Sequence, residues 1–238
     1  MENHFIQMQI LKILLFNPKS KFSDLRFDEN IENNQLTFHI NQLIKDNHLV
    51  KNTDKTYSLT LAGKEYANRM DTDKVQGQKQ GKIGAITCAI RENKKGDYDF
   101  LLYTRKKQPF YDHQGFASGK VPYGQSVVES ALRELKEETN LDADTGEVFM
   151  IEHHRVYDKQ TKELLEDKFF YFVRIFNPTG EIKANEEGEF EWVPRNKIAD
   201  YITKPFETLE RELYIADQML DFKKKLTFEE IAHYTDAF

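Results

Sequence analysis

The stretch GKVPYGQSVVESALRELKEETNL, from Gly119 to Leu141, contains Glu134, Glu137 and Glu138 at spacings of three and four residues. In an α-helix such side chains share one face, with their Cβ atoms roughly 5–6 Å apart. Three carboxylates this close repel one another unless a cation neutralises them, and Mg²⁺ or Mn²⁺ prefers oxygen ligands. The spacing therefore predicts a helix that carries a candidate site for a divalent metal ion.

Both ends of this helix have their own signals. Gly119 and Gly124 bound a short loop, and Ser126 followed by Glu129 has the spacing of a capping box at the start of a helix. Asn140 stands where a helix commonly ends in a left-handed residue. An acidic stretch alone is typical of any solvated helix face. The ordered loop, cap, acidic face and stop favour a functional site instead.

This order of residues resembles the box of the Nudix hydrolases, G-x5-E-x7-R-E-U-x-E-E-x-G-U, where U is a bulky aliphatic residue. Asn140 replaces the last glycine, which the helix stop tolerates, and Gln125 replaces the first glutamate. The second replacement removes a negative charge beside the site and bears on metal affinity or rate. The matching positions are Gly119, Arg133, Glu134, Leu135, Glu137, Glu138 and Leu141.

The resemblance, over residues 82–200 and beyond, implies an α/β (α+β) fold in which a mixed sheet lies between helices. It also implies metal-assisted hydrolysis of a diphosphate linkage in a nucleoside diphosphate derivative, with Mg²⁺ or Mn²⁺ as cofactor. Glu134, Glu137 and Glu138 are the expected metal ligands. Arg133 is expected to orient a loop or a carboxylate, and Glu134 or Glu137 is one choice of general base.

Other family members take the base from an acidic loop before the last strand, which here offers Glu187 and Glu189. Either residue is a candidate base or extra ligand. Substrate contacts are expected from Arg105 and Lys106 at the end of a strand, from Lys120 in the loop, and from Tyr157, at a position where dinucleoside-polyphosphate hydrolases often have a tyrosine.

Length and composition are those of a globular protein with one large or two small domains: 238 residues, 39% hydrophobic and 31% charged. The apolar stretch from Phe5 to Phe16 is too short to cross a bilayer. The single cysteine, Cys88, excludes an internal disulfide and a cysteine-rich zinc site. We expect a cytoplasmic protein that does not insert into membranes.

Domain organisation is predicted as a small domain over residues 1–70, a polar linker over 71–82, and the catalytic domain with C-terminal helices over 83–238. Helical patterns at Phe5–Phe16, Ser20–Arg26 and Asn34–Leu49, followed by a hairpin between residues 49 and 61, give the order of a winged helix. In the second domain we predict strands at 83–90, 100–104, 147–157, 168–176 and 190–193, and helices at 206–224 and 228–234.

The role of the winged helix stays open at this point. Residues 1–70 carry nine lysines and arginines against eight acidic residues, a weak electrostatic footprint for DNA binding. DNA binding through residues 20–60 is one reading, and dimerisation or docking on the catalytic domain is the other. The first reading would make the protein a transcription regulator whose second domain senses a nucleotide. A homodimer is compatible with either.

Overall fold

The computed structural model describes residues 4–183, 186–223 and 225–226. Two compact units meet in the sequence between Gln80 and Gly81. Among the described residues, no helix has the length and apolar character needed to span a membrane.

In its described residues, the first unit contains three α-helices and two short antiparallel ribbons, and it fits the predicted winged helix. Leu11, Leu25, Leu36 and Leu43 are fully buried in its core. In chain order, the elements are α1 (Phe5–Phe16), a 3-10 turn (Phe22–Leu25), α2 (Asn33–Lys45), β1 (Leu49–Lys51), β2 (Tyr57–Leu59) and α3 (Leu61–Asn68).

Two predicted helices of this unit are shorter in the structure. The segment Ser20–Arg26 forms only a 3-10 turn, and α2 ends at Lys45. The end of α2 follows from Asn47, whose φ of 58° is left-handed and takes the chain out of the helix. The helix predicted over 34–49 therefore extends four residues beyond the observed end at Lys45.

The segment predicted as a linker contains some regular structure. β3 (Met70–Asp71) and β4 (Gln76–Gly77) pair as a short antiparallel ribbon. Val75, in the turn between them, is buried in the core of the first unit. Residues 78–81 are left without regular structure.

The second unit is built on a seven-stranded mixed sheet with the order β11-β6-β5-β10-β9, in which β7 pairs with β6 and β8 pairs with β5. β10 runs parallel to β5, and the other pairs are antiparallel. The strands are β5 (Lys82–Glu92), β6 (Tyr98–Arg105), β7 (Gln114–Gly115), β8 (Ala117–Lys120), β9 (Glu147–Tyr157), β10 (Leu164–Phe176) and β11 (Gly188–Pro194).

Helices cover both faces of this sheet. α4 (Val127–Thr139) buries Ala131 and Leu135 against one face. α5 (Ile198–Tyr201) and α6 (Leu209–Leu220) bury Ile198, Ile215 and Met219 against the other face. The predicted α/β/α sandwich with a mixed sheet is confirmed.

The C-terminal helix is shorter than the predicted range 206–224. Thr208 caps it by accepting a hydrogen bond from the Arg211 N–H, so the regular helix begins only at Leu209. It ends at Leu220. The short helix predicted over 228–234 lies outside the described residues.

Candidate functional site

The helix of the acidic segment has the predicted caps, but Gly119 and Lys120, predicted in a loop, lie at the end of strand β8. The Ser126 side chain accepts a hydrogen bond from the Glu129 N–H at 3.2 Å, and the Glu129 carboxylate accepts one from the Ser126 N–H at 3.0 Å. At the other end Asn140 has a φ of 65°, and its N–H donates to the Lys136 carbonyl. α4 is therefore held at both ends, which fixes the direction of its acidic face.

Gly119 brings the backbone of β8 against the side chain of Glu134. A Cβ atom at position 119 would lie 2.1 Å from Cγ and 2.2 Å from Cδ of Glu134. A larger residue there would force the Glu134 side chain out of its place or push the strand and the helix apart. The glycine thus sets the place of the Glu134 carboxylate, which is only 16% exposed.

Arg133 connects the loop to two of the three glutamates. Its guanidinium contacts Glu134 at 2.8 Å and Glu137 at 2.6 Å, and donates to the Lys120 carbonyl at 3.3 Å. Its Nε donates to the Gln125 side-chain oxygen at 3.2 Å. These contacts are those of an orienting residue. Gln125 retains an acceptor for Arg133 although the negative charge is absent.

Glu138, like Glu134, is partly buried on this face, whereas Glu137 is exposed. Burial, followed by the nearby negative charge of Glu134, raises the pKa of Glu138 to about 7, while Lys107 and Arg105 act in the opposite direction. A carboxyl group in this state gains from any added positive charge.

The donor set suits a hard divalent cation. Glu134, Glu137 and Glu138 offer only carboxylate oxygens, the ligands that Mg²⁺ and Mn²⁺ prefer. Within the described residues, no three His, Cys, Asp or Glu side chains are already gathered around a common point. Arg133 instead holds Glu134 and Glu137. Glu138 is the third carboxylate on this face that could take part in holding a cation.

Arg105, Lys106 and Lys107 form a basic strip at the end of β6, and Arg105 and Lys107 act on Glu138 of the acidic helix. Arg105 donates from Nε to the Pro109 carbonyl at 2.6 Å, so it holds the loop that follows the strand. Lys106 lies 3.4 Å from Asp112 and 3.6 Å from Glu189. Arg105 and Lys106 were both predicted as substrate contacts. In this structure each is engaged with protein groups.

The acidic loop before β11 is tied to the same strip. Glu187 forms an ion pair with Lys107, and its carbonyl accepts hydrogen bonds from the Tyr103 hydroxyl and the Lys106 N–H, both at 2.9 Å. Glu189 is more exposed, at 68% of its side chain. The structure thus brings the loop of Glu187 and Glu189 to the strip beside Glu138.

The other two residues predicted to contact substrate, Lys120 and Tyr157, lie in different surroundings. Lys120 serves the site through its backbone carbonyl, which accepts from Arg133. Tyr157 pairs with Leu164 at the end of the edge strand β9, and β10 and β5 separate it from β8 in the sheet order. The sheet therefore does not bring Tyr157 next to the acidic helix.

Two residues of the site were missed from the sequence. Lys107 is the third cation of a basic run whose first two members were chosen. Thr87 looks like an ordinary β-forming residue in an apolar strand, yet it lines a crevice together with Glu134 and Glu138. No periodicity or spacing signals a crevice, because its walls come from separate parts of the chain.

Comparison with known proteins agrees with this architecture. Residues 82–214 match the family model of the NUDIX domain. The structure resembles the NUDIX domain of Shewanella oneidensis NrtR solved with ADP ribose, at 16% identity and a TM-score of 0.50, covering 67% of this chain and 96% of that one. It also resembles a MutT NUDIX hydrolase from Burkholderia pseudomallei, at 18% identity and a TM-score of 0.46, covering 57% of this chain and 98% of that one. No curated protein matches the chain. At 16% identity, the match to the NrtR domain speaks to the fold alone.

Proposed function

Because the chain belongs to the Nudix family, we propose that it hydrolyses a diphosphate linkage in a nucleoside diphosphate derivative with Mg²⁺ or Mn²⁺. The observation that carries this proposal is the carboxylate cluster on α4, in which Glu134 packs against Gly119 and partial burial raises the pKa of Glu138 to about 7. The Glu134 side chain is only 16% exposed because Gly119 admits it against the strand, an arrangement that a solvated acidic face would not need. The cluster is built rather than incidental.

In this mechanism Glu134, Glu137 and Glu138 hold the divalent ion. When bound, that ion supplies charge neutralisation for phosphate oxygens and lowers the pKa of a coordinated water. Arg133 orients Glu134 and Glu137 through its two ion pairs. Arg105, near enough to lower the pKa of Glu138, adds positive field where a polyphosphate would lie.

The general base is proposed among Glu134, Glu137, Glu187 and Glu189. Glu187 and Glu189 sit on the loop that Tyr103 and Lys106 anchor through the Glu187 carbonyl. Their carboxylates pair with Lys107 and Lys106, cations that a bound phosphate would compete for. Release from those lysines would leave a carboxylate available to accept a proton from water.

The test measures hydrolysis of ADP-ribose, dinucleoside polyphosphates, nucleotide sugars and oxidised dNTPs with Mg²⁺ or Mn²⁺. The wild type is compared with Glu137→Gln and with Glu129→Gln. Glu129 lies on the same helix but caps its start, and glutamine can also complete a capping box. We expect turnover of one substrate class, a loss of at least tenfold in Glu137→Gln, and near wild-type rates in Glu129→Gln.

Turnover that is the same in the two variants would contradict the assignment of Glu137. A wild-type protein that binds one member of the panel saturably but hydrolyses none would contradict the hydrolase. That second result would favour the alternative function.

The alternative is a transcription regulator in which the Nudix domain senses a nucleotide. The winged-helix arrangement of the first unit favours it. Selection of bound sequences from random duplexes by the full chain, repeated with ADP-ribose, tests it. Recovery of one enriched sequence whose binding responds to the nucleotide would support the regulator. Because residues 1–70 have few excess cations, we expect any such binding to have a shallow salt dependence.

A further inference from the structure

Thr87 is a buried polar residue in the middle of the sheet. It lies on β5, opposite Ala117 of β8 and Val173 of β10. Its side chain belongs to a residue that is 6% exposed, and its Oγ1 has no hydrogen-bond partner within the described structure. Burying a hydroxyl without a partner costs free energy, and native structures rarely retain such a group without a reason.

The crevice around Thr87 contains the deep carboxylates of the site. Glu134 and Glu138 line it, and four apolar side chains complete much of its wall: Leu101, Ala117, Leu135 and Phe190. The crevice has one other hydroxyl, that of Thr139, which donates to the Leu135 carbonyl at 2.6 Å and accepts from the Leu141 N–H at 3.1 Å. Of these two hydroxyls, only that of Thr87 can still donate a hydrogen bond to a carboxylate oxygen.

An ion-bound Glu138 needs a hydrogen-bond donor. Coordination requires the carboxylate to be an anion, and a buried anion is stable only when its remaining lone pairs are also satisfied. Groups that hydrogen-bond to metal ligands fix their orientation, and their loss commonly lowers metal affinity by about 10–100-fold. Lys107 and Arg105 already act on Glu138. Within the crevice, the apolar side chains cannot donate a hydrogen bond, whereas the Thr87 hydroxyl can.

We propose that Thr87 is a positioning residue for Glu138, its hydroxyl donating to the Glu138 carboxylate when a divalent ion is bound. This proposal rests on the metal dependence in the proposed function. It accounts for the unpaired hydroxyl of the ion-free protein. It also accounts for a polar residue on the central strand facing α4, where its neighbours Ala85 and Ala89 belong to the apolar core.

The test measures Mn²⁺ binding to the full chain by electron paramagnetic resonance, together with thermal unfolding of the ion-free protein. Thr87→Val removes the hydroxyl and keeps the shape. Thr87→Ser keeps the hydroxyl. Thr139→Val is the matched control, because Thr139 lines the same crevice but already uses its hydroxyl within the protein.

We expect Thr87→Val to bind Mn²⁺ about tenfold or more weakly while the ion-free protein unfolds at the same or a higher temperature. Thr87→Ser should bind within about threefold of the wild type. Thr139→Val should lower the unfolding temperature with little effect on Mn²⁺ affinity. If Thr87→Val does not fold, the pair Thr87→Ser and Thr87→Ala decides, since both lack the methyl group and differ in the hydroxyl.

Equal Mn²⁺ affinity in the variants with and without the hydroxyl would overturn the role of Thr87 and leave the hydrolase proposal standing. A wild-type protein that binds no Mn²⁺ at millimolar concentration would overturn both. If Thr87→Val and Thr87→Ser both bind Mn²⁺ more weakly than the wild type, the effect comes from packing. That result would also overturn the proposal.

Discussion

Single atoms decide the geometry of the acidic face. Gly119 is required because Glu134 occupies the space of its missing side chain. Arg133 makes ion pairs with two glutamates while a backbone carbonyl holds it in the loop. The sequence pattern identified both positions as members of a motif. The reason for the glycine is a contact with a side chain fifteen positions away, which no local pattern expresses.

Gly119→Ala is expected to destabilise the protein by about 1–3 kcal/mol, the usual cost of overpacking. The new Cβ would lie 2.1 Å from Cγ of Glu134. Urea unfolding followed by circular dichroism measures the loss. Gly77→Ala is the control, because a Cβ there meets nothing within 4 Å. Equal stability of the two variants would contradict the close approach.

Glu212 makes the free energy of unfolding depend on pH. Burial, then the charge of Glu207, raises the pKa of Glu212 from 4.5 to about 8. The folded state therefore keeps a proton that the unfolded state releases above pH about 4.5. The stability contributed by this proton is complete below that pH and disappears as the pH rises through about 8.

Between pH 5 and pH 9, the free energy of unfolding should fall less in Glu212→Gln than in the wild type. The difference between the two decreases should be on the order of a few kcal/mol. Urea midpoints at several pH values measure the difference. Glu210→Gln, at an exposed position of the same helix, should follow the wild-type curve. Parallel curves for wild type and Glu212→Gln would refute the raised pKa.

At the scale of elements, capping signals predicted α4 closely, whereas periodicity alone overran other helices. α4 starts after Ser126 and stops at Asn140, both read from local hydrogen-bonding chemistry. α2 and α6 were predicted too long, because apolar spacing continues past the residue where the backbone leaves the helix. The five predicted strands of the sheet lie within a few residues of their observed positions, whereas the short strands β7 and β8 were not predicted.

The helix stop at Asn140 can be tested directly. Asn140→Ala is expected to lower the free energy of unfolding by about 1–2 kcal/mol. Alanine is strained at a left-handed φ and lacks the local hydrogen bonding that favours asparagine there. Asn140→Gly tolerates that φ but loses the 3.2 Å bond from Nδ2 to the Glu181 carbonyl, so it should lie between wild type and alanine. Urea unfolding ranks the three, and an alanine variant as stable as the wild type would contradict the strain.

At the scale of the whole molecule, the chain contains two compact units, and the segment 78–81 between their cores lacks regular structure. We propose that the second unit carries the hydrolase by itself. Its sheet, both helix layers and the acidic face belong to residues after Gly81. The first unit has a separate core.

A chain beginning at Gly81 is therefore expected to fold and to keep the kcat/KM of the full protein within about threefold. Any binding of duplex DNA by the full chain should be lost. Circular dichroism establishes folding, and the substrate panel measures activity. A folded but inactive fragment would mean that residues before Gly81 contribute to the site.

Local chemistry within the sequence was sufficient for the acidic helix with both caps and for the winged-helix order, because these depend on hydrogen bonds and side-chain spacing within a turn or two of helix, or on alternation along a strand. The family and the mixed α/β/α architecture were expected from the resemblance of the box to that of the Nudix hydrolases. The burial of Glu138, the open hydroxyl of Thr87 and the pairing of Lys107 with Glu187 arose from folding. Each depends on which strands become neighbours, because sheet order brings together groups that lie far apart along the chain.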